Sequence, residues 1–90
     1  MASFVYAKIT TNRTTLKKYI ETFRARKTSQ ETLIAPRPLP GRPQTSYYAL
    51  VKLQPDSQMH SYFAEKGKLT VITGSQYEQE TANIKYHWSA

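Results

Sequence analysis

Aromatic and basic side chains alternate along two segments that have the pattern of β-strands. Near the start of the chain, F-V-Y-A-K-I-T places Tyr6 and Lys8 on one side and the apolar V-A-I series on the other. The segment S-Y-Y-A-L-V-K-L-Q likewise places Tyr48 and Lys52 opposite the series Y-A-V-L, because successive side chains of a strand point to opposite faces. Aromatic rings stack on bases, and lysines neutralise phosphates. These four side chains are therefore candidates for contact with nucleic acid.

A second set of basic residues lies on a predicted helix. The dipeptide T-N favours an N-cap, and the apolar residues that follow it recur at helical spacing. They are Leu16, Tyr19, Ile20 and Phe23. This pattern predicts a helix over residues 13–27. Arg13, Lys17 and Arg24 fall together on its flank and are candidates for contact with phosphate, whereas a solvated basic face is the alternative.

All of the excess positive charge lies in the first half of the chain. The net charge is +7; residues 1–43 contain nine Lys or Arg and two Glu, whereas residues 44–90 contain four bases and four acids. This asymmetry favours a polyanionic partner, which would be nucleic acid, an acidic protein or anionic lipid. A charge that only keeps the protein soluble is the alternative.

The composition excludes several classes of protein. The absence of cysteine excludes disulfide scaffolds, Cys-ligated zinc and thiol catalysis. The two histidines are far apart and the three glycines are isolated, so we expect no metal, no cofactor and no phosphate-cradling loop. No apolar run approaches the roughly 20 residues of a membrane span, and no signal peptide is evident. We therefore expect a cytoplasmic protein without a membrane partner.

Residues 28–45 are predicted to form a proline-rich loop within a single domain that spans residues 1–90, because they contain four of the five prolines. The run R-P-L-P-G-R-P resembles the R-x-L-P-x-x-P ligands of Src homology 3 domains, whose aromatic grooves bind the prolines while an acidic patch binds the arginine. The resemblance implies a protein partner, and a loop that only links two strands is the alternative. The residues that would bind the partner are Arg37, Pro40, Arg42 and Pro43.

The order of the predicted elements indicates an α+β fold. After the first strand and helix come a possible short strand over 31–35, the strand over 46–54, a helix over 56–66, a strand over 68–73 and a last strand over 84–88. We predict a small antiparallel sheet with two helices on one face, in ferredoxin-like β-α-β-β-α-β order with an extra C-terminal strand. Without the short strand, the sheet would be smaller.

In that arrangement the first and third strands lie side by side, and the sheet face without helices is open. The residues that this open face would display are Phe4, Tyr6, Lys8, Tyr48, Leu50 and Lys52. The alternative is that the C-terminal strand, or a second copy of the chain in a homodimer, covers the aromatic rings.

The central strand loosely resembles the K/R-G-F/Y-G/A-F-V-x-F/Y pattern of the RNA-recognition motif. Tyr48, Ala49 and Val51 agree with the pattern. The residues that depart from it are Ser46, Tyr47, Leu50 and Leu53. Because that family stacks bases on aromatic residues of its two central strands, the resemblance implies a stacking face around Tyr6 and Tyr48.

The segment K-Y-H-W near the end of the chain resembles the aromatic-His-aromatic end of RelE-class bacterial toxins, which cut mRNA without metal. The resemblance implies that His87 acts as acid or base while arginines stabilise phosphate charge. The resemblance covers four residues, and the long helical N-terminal half of that family is missing.

We therefore expect a protein that binds nucleic acid, is not an enzyme and has no catalytic residue. The alternative is an interaction module or small inhibitor that binds an acidic protein through the basic helix or the proline-rich loop.

Overall fold

In the computed structural model, which describes residues 3–38, 41, 46–67 and 69–90, five strands form one antiparallel sheet and three helices cover its two faces. The elements in chain order are β1 (Val5–Thr11), α1 (Arg13–Arg26), β2 (Thr32–Pro36), β3 (Tyr47–Leu53), α2 (Gln58–Glu65), β4 (Thr70–Ile72), α3 (Gly74–Asn83) and β5 (His87–Ser89). The strand order is β4-β1-β3-β2-β5. The predicted α+β class and the pairing of the first and third strands are confirmed.

The first face of the sheet, which carries Ala7, Ile9 and Val51, contains the main hydrophobic core and is covered by α1 and α2. The helical stripe predicted from the sequence is confirmed, since its four apolar residues are buried. Helix α2 adds Met59 and Phe63. Burying each large apolar side chain contributes about 1.5–3 kcal/mol, so this interface supplies much of the stability of the domain.

The second face of the sheet, which carries Tyr6, Thr32 and Leu50, is covered by α3. The rings of Tyr77 and Tyr6 pack with their centroids 5.0 Å apart, and the Tyr77 hydroxyl lies 3.0 Å from the Thr32 hydroxyl. Leu50 is fully buried. The prediction of an open face is therefore wrong for the part around Tyr6 and Leu50. The helix that packs on this face, α3, was not predicted. The C-terminal strand does not cover the face but pairs with β2 at the edge of the sheet.

Side chains define the starts of the helices, as the sequence suggested for α1. The Asn12 side chain accepts a hydrogen bond of 2.8 Å from the backbone N–H of Thr15, which satisfies one of the free donors at a helix start. Ser57 begins α2 in the same way. Gly67, predicted to end α2, has a φ of 66°, in the region that glycine adopts readily. Lys68, the predicted start of the next strand, lies outside the described residues.

Glu31 is a fully buried carboxylate that joins β2 to the connection between β3 and α2. It accepts hydrogen bonds from the backbone N–H groups of Thr28 and Gln54, both at 2.9 Å, and from the Ser57 hydroxyl at 2.6 Å. Burial alone would raise the pKa of Glu31, but these hydrogen bonds outweigh burial and lower the pKa below its ordinary value. Because Ser57 is also the N-cap of α2, Glu31 fixes the start of that helix.

The lowered pKa of Glu31 predicts a stability that depends on pH in the acidic range. In the unfolded chain a Glu has a pKa of about 4.3, so the carboxylate stabilises the fold above that pH and loses its effect as pH falls through the folded pKa. We expect the free energy of unfolding, measured by urea titration, to decrease from about pH 5 downwards. The decrease should be smaller in a Glu31→Gln variant. Parallel pH profiles of the two proteins would contradict this assignment.

Candidate nucleic-acid interface

Helix α1 presents Arg13, Lys17 and Arg24, here called the basic stripe, on one exposed flank. Arg13 and Lys17 line one shallow depression, and Lys17 and Arg24 line the next one along the helix. The two depressions share Lys17 and Glu21, so the surface between them is continuous. The structure therefore brings together the three cations that the sequence assigned to phosphate contact.

The second depression is a groove of about 260 Å³ between α1 and β5, here called the α1/β5 groove. The residues that line it are Lys17, Ile20, Glu21, Arg24 and Trp88. The sequence predicted the two cations but did not assign Trp88 to the site. The indole comes from the other end of the chain, and only the pairing of β5 with β2 brings it to α1.

Trp88 is held firmly by its neighbours. Its backbone pairs with Ala35 in the sheet, and its ring stacks on the buried Tyr47 with the centroids 6.2 Å apart and the planes at 26°. The Arg24 guanidinium donates a hydrogen bond of 3.2 Å to the carbonyl of Ser89, which joins α1 to β5. The half-buried indole is thus fixed in place before any ligand arrives.

Arg37 adds a further cation beside the indole. Its guanidinium carbon lies 5.8 Å from the centroid of the Trp88 ring, within the range of a cation–π contact, and its backbone N–H donates to the Tyr86 carbonyl at 2.9 Å. Arg37 was predicted as part of a ligand for Src homology 3 domains. The other residues of that prediction, Pro40, Arg42 and Pro43, lie outside the described residues.

Two of the four residues predicted to form a stacking face contact α3. The ring of Tyr6 packs on Tyr77, and burial raises the pKa of the Tyr77 hydroxyl. The Lys8 ammonium lies 3.3 Å from the Glu80 carboxylate. Helix α3 therefore occupies space that a base would need in order to stack on Tyr6 from that side.

The other two residues of the predicted stacking face, Tyr48 and Lys52, take part in cation–π contacts within the chain. The Lys8 ammonium lies 4.5 Å from the centroid of the Tyr48 ring, and the Lys52 ammonium lies 4.1 Å from that of Phe4. A base would have to compete with these cations for the rings. Binding of nucleic acid by this face stays a prediction.

His87 lies on the side of β5 opposite to Trp88. It pairs with Pro36 in the sheet, and neighbouring strand residues point to opposite faces. The cations of the α1/β5 groove are on the Trp88 side, so the structure does not bring them to His87. The ribonuclease chemistry implied by the C-terminal resemblance needs both, and it stays an untested alternative to the non-enzymatic prediction.

The described part of the chain offers no group of three His, Asp or Glu side chains that could bind a metal ion. None of its helices has the length and apolar character needed to cross a bilayer. No family model, curated protein or solved structure matches the chain. Function is therefore inferred from the side chains and their geometry.

Proposed function

We propose that this chain is a small non-enzymatic protein that binds nucleic acid through the basic stripe of α1. The observation that carries the proposal is the continuity of the exposed surface from Arg13 through Lys17 to Arg24, which ends at the ring of Trp88. Cations in a row on one helix can each contact a phosphate of the same strand. The indole at its end supplies a surface that a base can contact.

The charges of the basic stripe support a polyanionic partner. Among the described residues, the one ion pair within 4.0 Å joins Lys8 and Glu80 on the second face, so no carboxylate neutralises the stripe at that distance. Glu21 is the one acid among the residues that line the two depressions. Binding of phosphates to such cations releases condensed counterions, which is the main source of sequence-independent affinity for nucleic acid.

The direct test is fluorescence anisotropy with labelled oligonucleotides at salt concentrations from about 50 to 200 mM. With three phosphate contacts, the logarithm of the binding constant should fall with the logarithm of the salt concentration with a slope of about −2 to −3. Absence of binding at about 50 mM salt would refute the proposal.

Three single variants locate the binding surface. Lys17→Gln should weaken binding about fivefold, since one ion pair in water is worth about 1 kcal/mol, and should reduce the salt slope by about one. Lys66→Gln changes the net charge equally but lies at the end of α2, and should leave affinity within about twofold. Glu21→Gln removes the acid and should tighten binding. If Lys17→Gln and Lys66→Gln lowered affinity equally, binding would reflect only the net positive charge of the protein and not the basic stripe.

An acidic protein remains the alternative partner for the same cations. The apolar centre of a protein interface is much less sensitive to salt than phosphate contacts are. A partner of this class would therefore bind with a shallow salt slope and would be insensitive to competing oligonucleotides. Arg37, which is exposed beside the groove, would then contribute to the interface.

A further inference from the structure

We propose that the α1/β5 groove binds an unpaired base of a single-stranded nucleic acid, with the base against Trp88 and the neighbouring phosphates on Lys17 and Arg24. This proposal rests on the proposed function and names its substrate class. The stacking site then lies at the edge of the sheet and not on the central strands, where the sequence predicted it.

The position of Trp88 favours a planar ligand. Tyr47, which is 2% exposed, supports the indole, and the half-buried ring lines the groove together with Ile20. The Arg37 guanidinium lies 5.8 Å from the ring centroid, so a base would share the indole with this cation. A ring that is already fixed loses little conformational freedom on binding. The groove thus offers a rigid aromatic and aliphatic surface on which a base can pack.

The cations around Trp88 favour an anionic ligand. Lys17 and Arg24 line the same groove as the indole, and the Arg37 guanidinium lies 5.8 Å from the ring centroid. A ligand that carries a planar ring and anionic groups a few ångströms away fits both features, and a nucleotide within a chain has this chemistry. A carboxylate-rich peptide would satisfy the cations but would leave the indole unused.

The half-buried indole favours a single strand over a duplex as the ligand of this groove of about 260 Å³. In a duplex the bases are stacked and paired inside the helix, and only unpaired bases are free to pack on an aromatic side chain. RNA and DNA single strands share this chemistry.

The test uses the emission of Trp88, the single tryptophan of the chain. Single-stranded RNA and DNA of about 12 nucleotides, and the corresponding duplexes, are titrated into the wild-type protein while anisotropy of the labelled strand reports binding. We expect a single strand of RNA, DNA or both to shift or quench the emission, and the duplexes to bind without this change. Equal emission changes with single strands and duplexes, or none with either, would overturn the inference.

Two matched variants separate the groove from the second face. Trp88→Leu keeps an apolar side chain and should lower single-strand affinity at least about fivefold, with duplex affinity within about twofold. Tyr48→Leu removes one aromatic ring from the predicted stacking face and should change neither affinity. If neither variant lowers single-strand affinity, the inference fails while binding through the basic stripe stands. A loss with Tyr48→Leu alone would place binding on the second face and refute both proposals, as would absence of all binding. If Trp88→Leu does not fold, the change in tryptophan emission of the wild-type protein still tests the inference.

Discussion

Replacing Glu31 with glutamine is expected to lower the free energy of unfolding by about 2–4 kcal/mol, since hydrogen bonds to a buried charged group are each worth about 1.5–3 kcal/mol. One oxygen of the carboxylate accepts from Thr28, and the other accepts from Gln54 and Ser57. An amide keeps one oxygen and turns an N–H group toward the donors on the other side. In either orientation of the amide, one backbone N–H, that of Thr28 or that of Gln54, then lacks its acceptor.

Urea unfolding at neutral pH measures this effect, and Glu65→Gln is the matched control. Glu65 is exposed at the end of α2, so its replacement should change stability by less than about 0.5 kcal/mol. Small domains have a total stability of about 5–15 kcal/mol, which makes the expected loss easy to detect. If Glu31→Gln were as stable as the control variant, the carboxylate would not organise this junction.

Tyr77→Ala is expected to lower the free energy of unfolding by about 2–4 kcal/mol and to release α3 from the sheet. Tyr77 is the one buried residue of α3, and its removal deletes the ring packed on Tyr6 and the hydroxyl next to Thr32. Without this anchor, Leu50 would become accessible to water. Urea unfolding measures the loss, and binding of the dye ANS reports the newly exposed apolar surface.

Tyr77→Phe separates the contribution of the ring from that of the hydroxyl. It keeps the packing on Tyr6 and loses the contact with Thr32, so we expect a loss of about 1 kcal/mol and no increase in dye binding. If Tyr77→Ala behaved like Tyr77→Phe, α3 would not depend on this residue for its position on the second face.

The sequence predicted most of the fold because its strongest patterns are local. The alternation of apolar residues in β1 and β3, and the stripe of Leu16, Tyr19, Ile20 and Phe23 in α1, each define one buried face without knowledge of the other elements. Helix α1 begins at the predicted residue and ends one residue earlier than predicted, and β3 is one residue shorter than predicted at each end. The predicted last strand differs more, since β5 begins at His87.

Helix α3 escaped prediction because its sequence lacks a periodic apolar stripe. The segment G-S-Q-Y-E-Q-E-T-A-N begins like a turn and places a single large residue, Tyr77, in the interior. Its docking depends on a pair of tyrosines and an ion pair, which are distant in sequence. The one local signal was Thr73, whose side chain caps the helix through the backbone N–H of Gln76.

The candidate site was predictable in its charges but not in its aromatic residue. The spacing of Arg13, Lys17 and Arg24 on one helix determines that they share a flank. The position of Trp88 depends instead on the register of β5 against β2, where Ala35 is its partner. The register between two strands that are distant in sequence is set by packing, and no local pattern in β5 specifies it.

Binding through the basic stripe is best tested by comparing two double variants with the same net charge. Lys17→Gln/Arg24→Gln removes two cations from the α1/β5 groove, whereas Lys8→Gln/Lys52→Gln removes two from the second face. In anisotropy titrations with one single-stranded oligonucleotide, we expect the first pair to lose about 10- to 30-fold in affinity and the second pair to remain within about threefold. A larger loss of affinity for the Lys8 and Lys52 double variant would place the binding surface on the second face of the sheet and refute binding through the basic stripe.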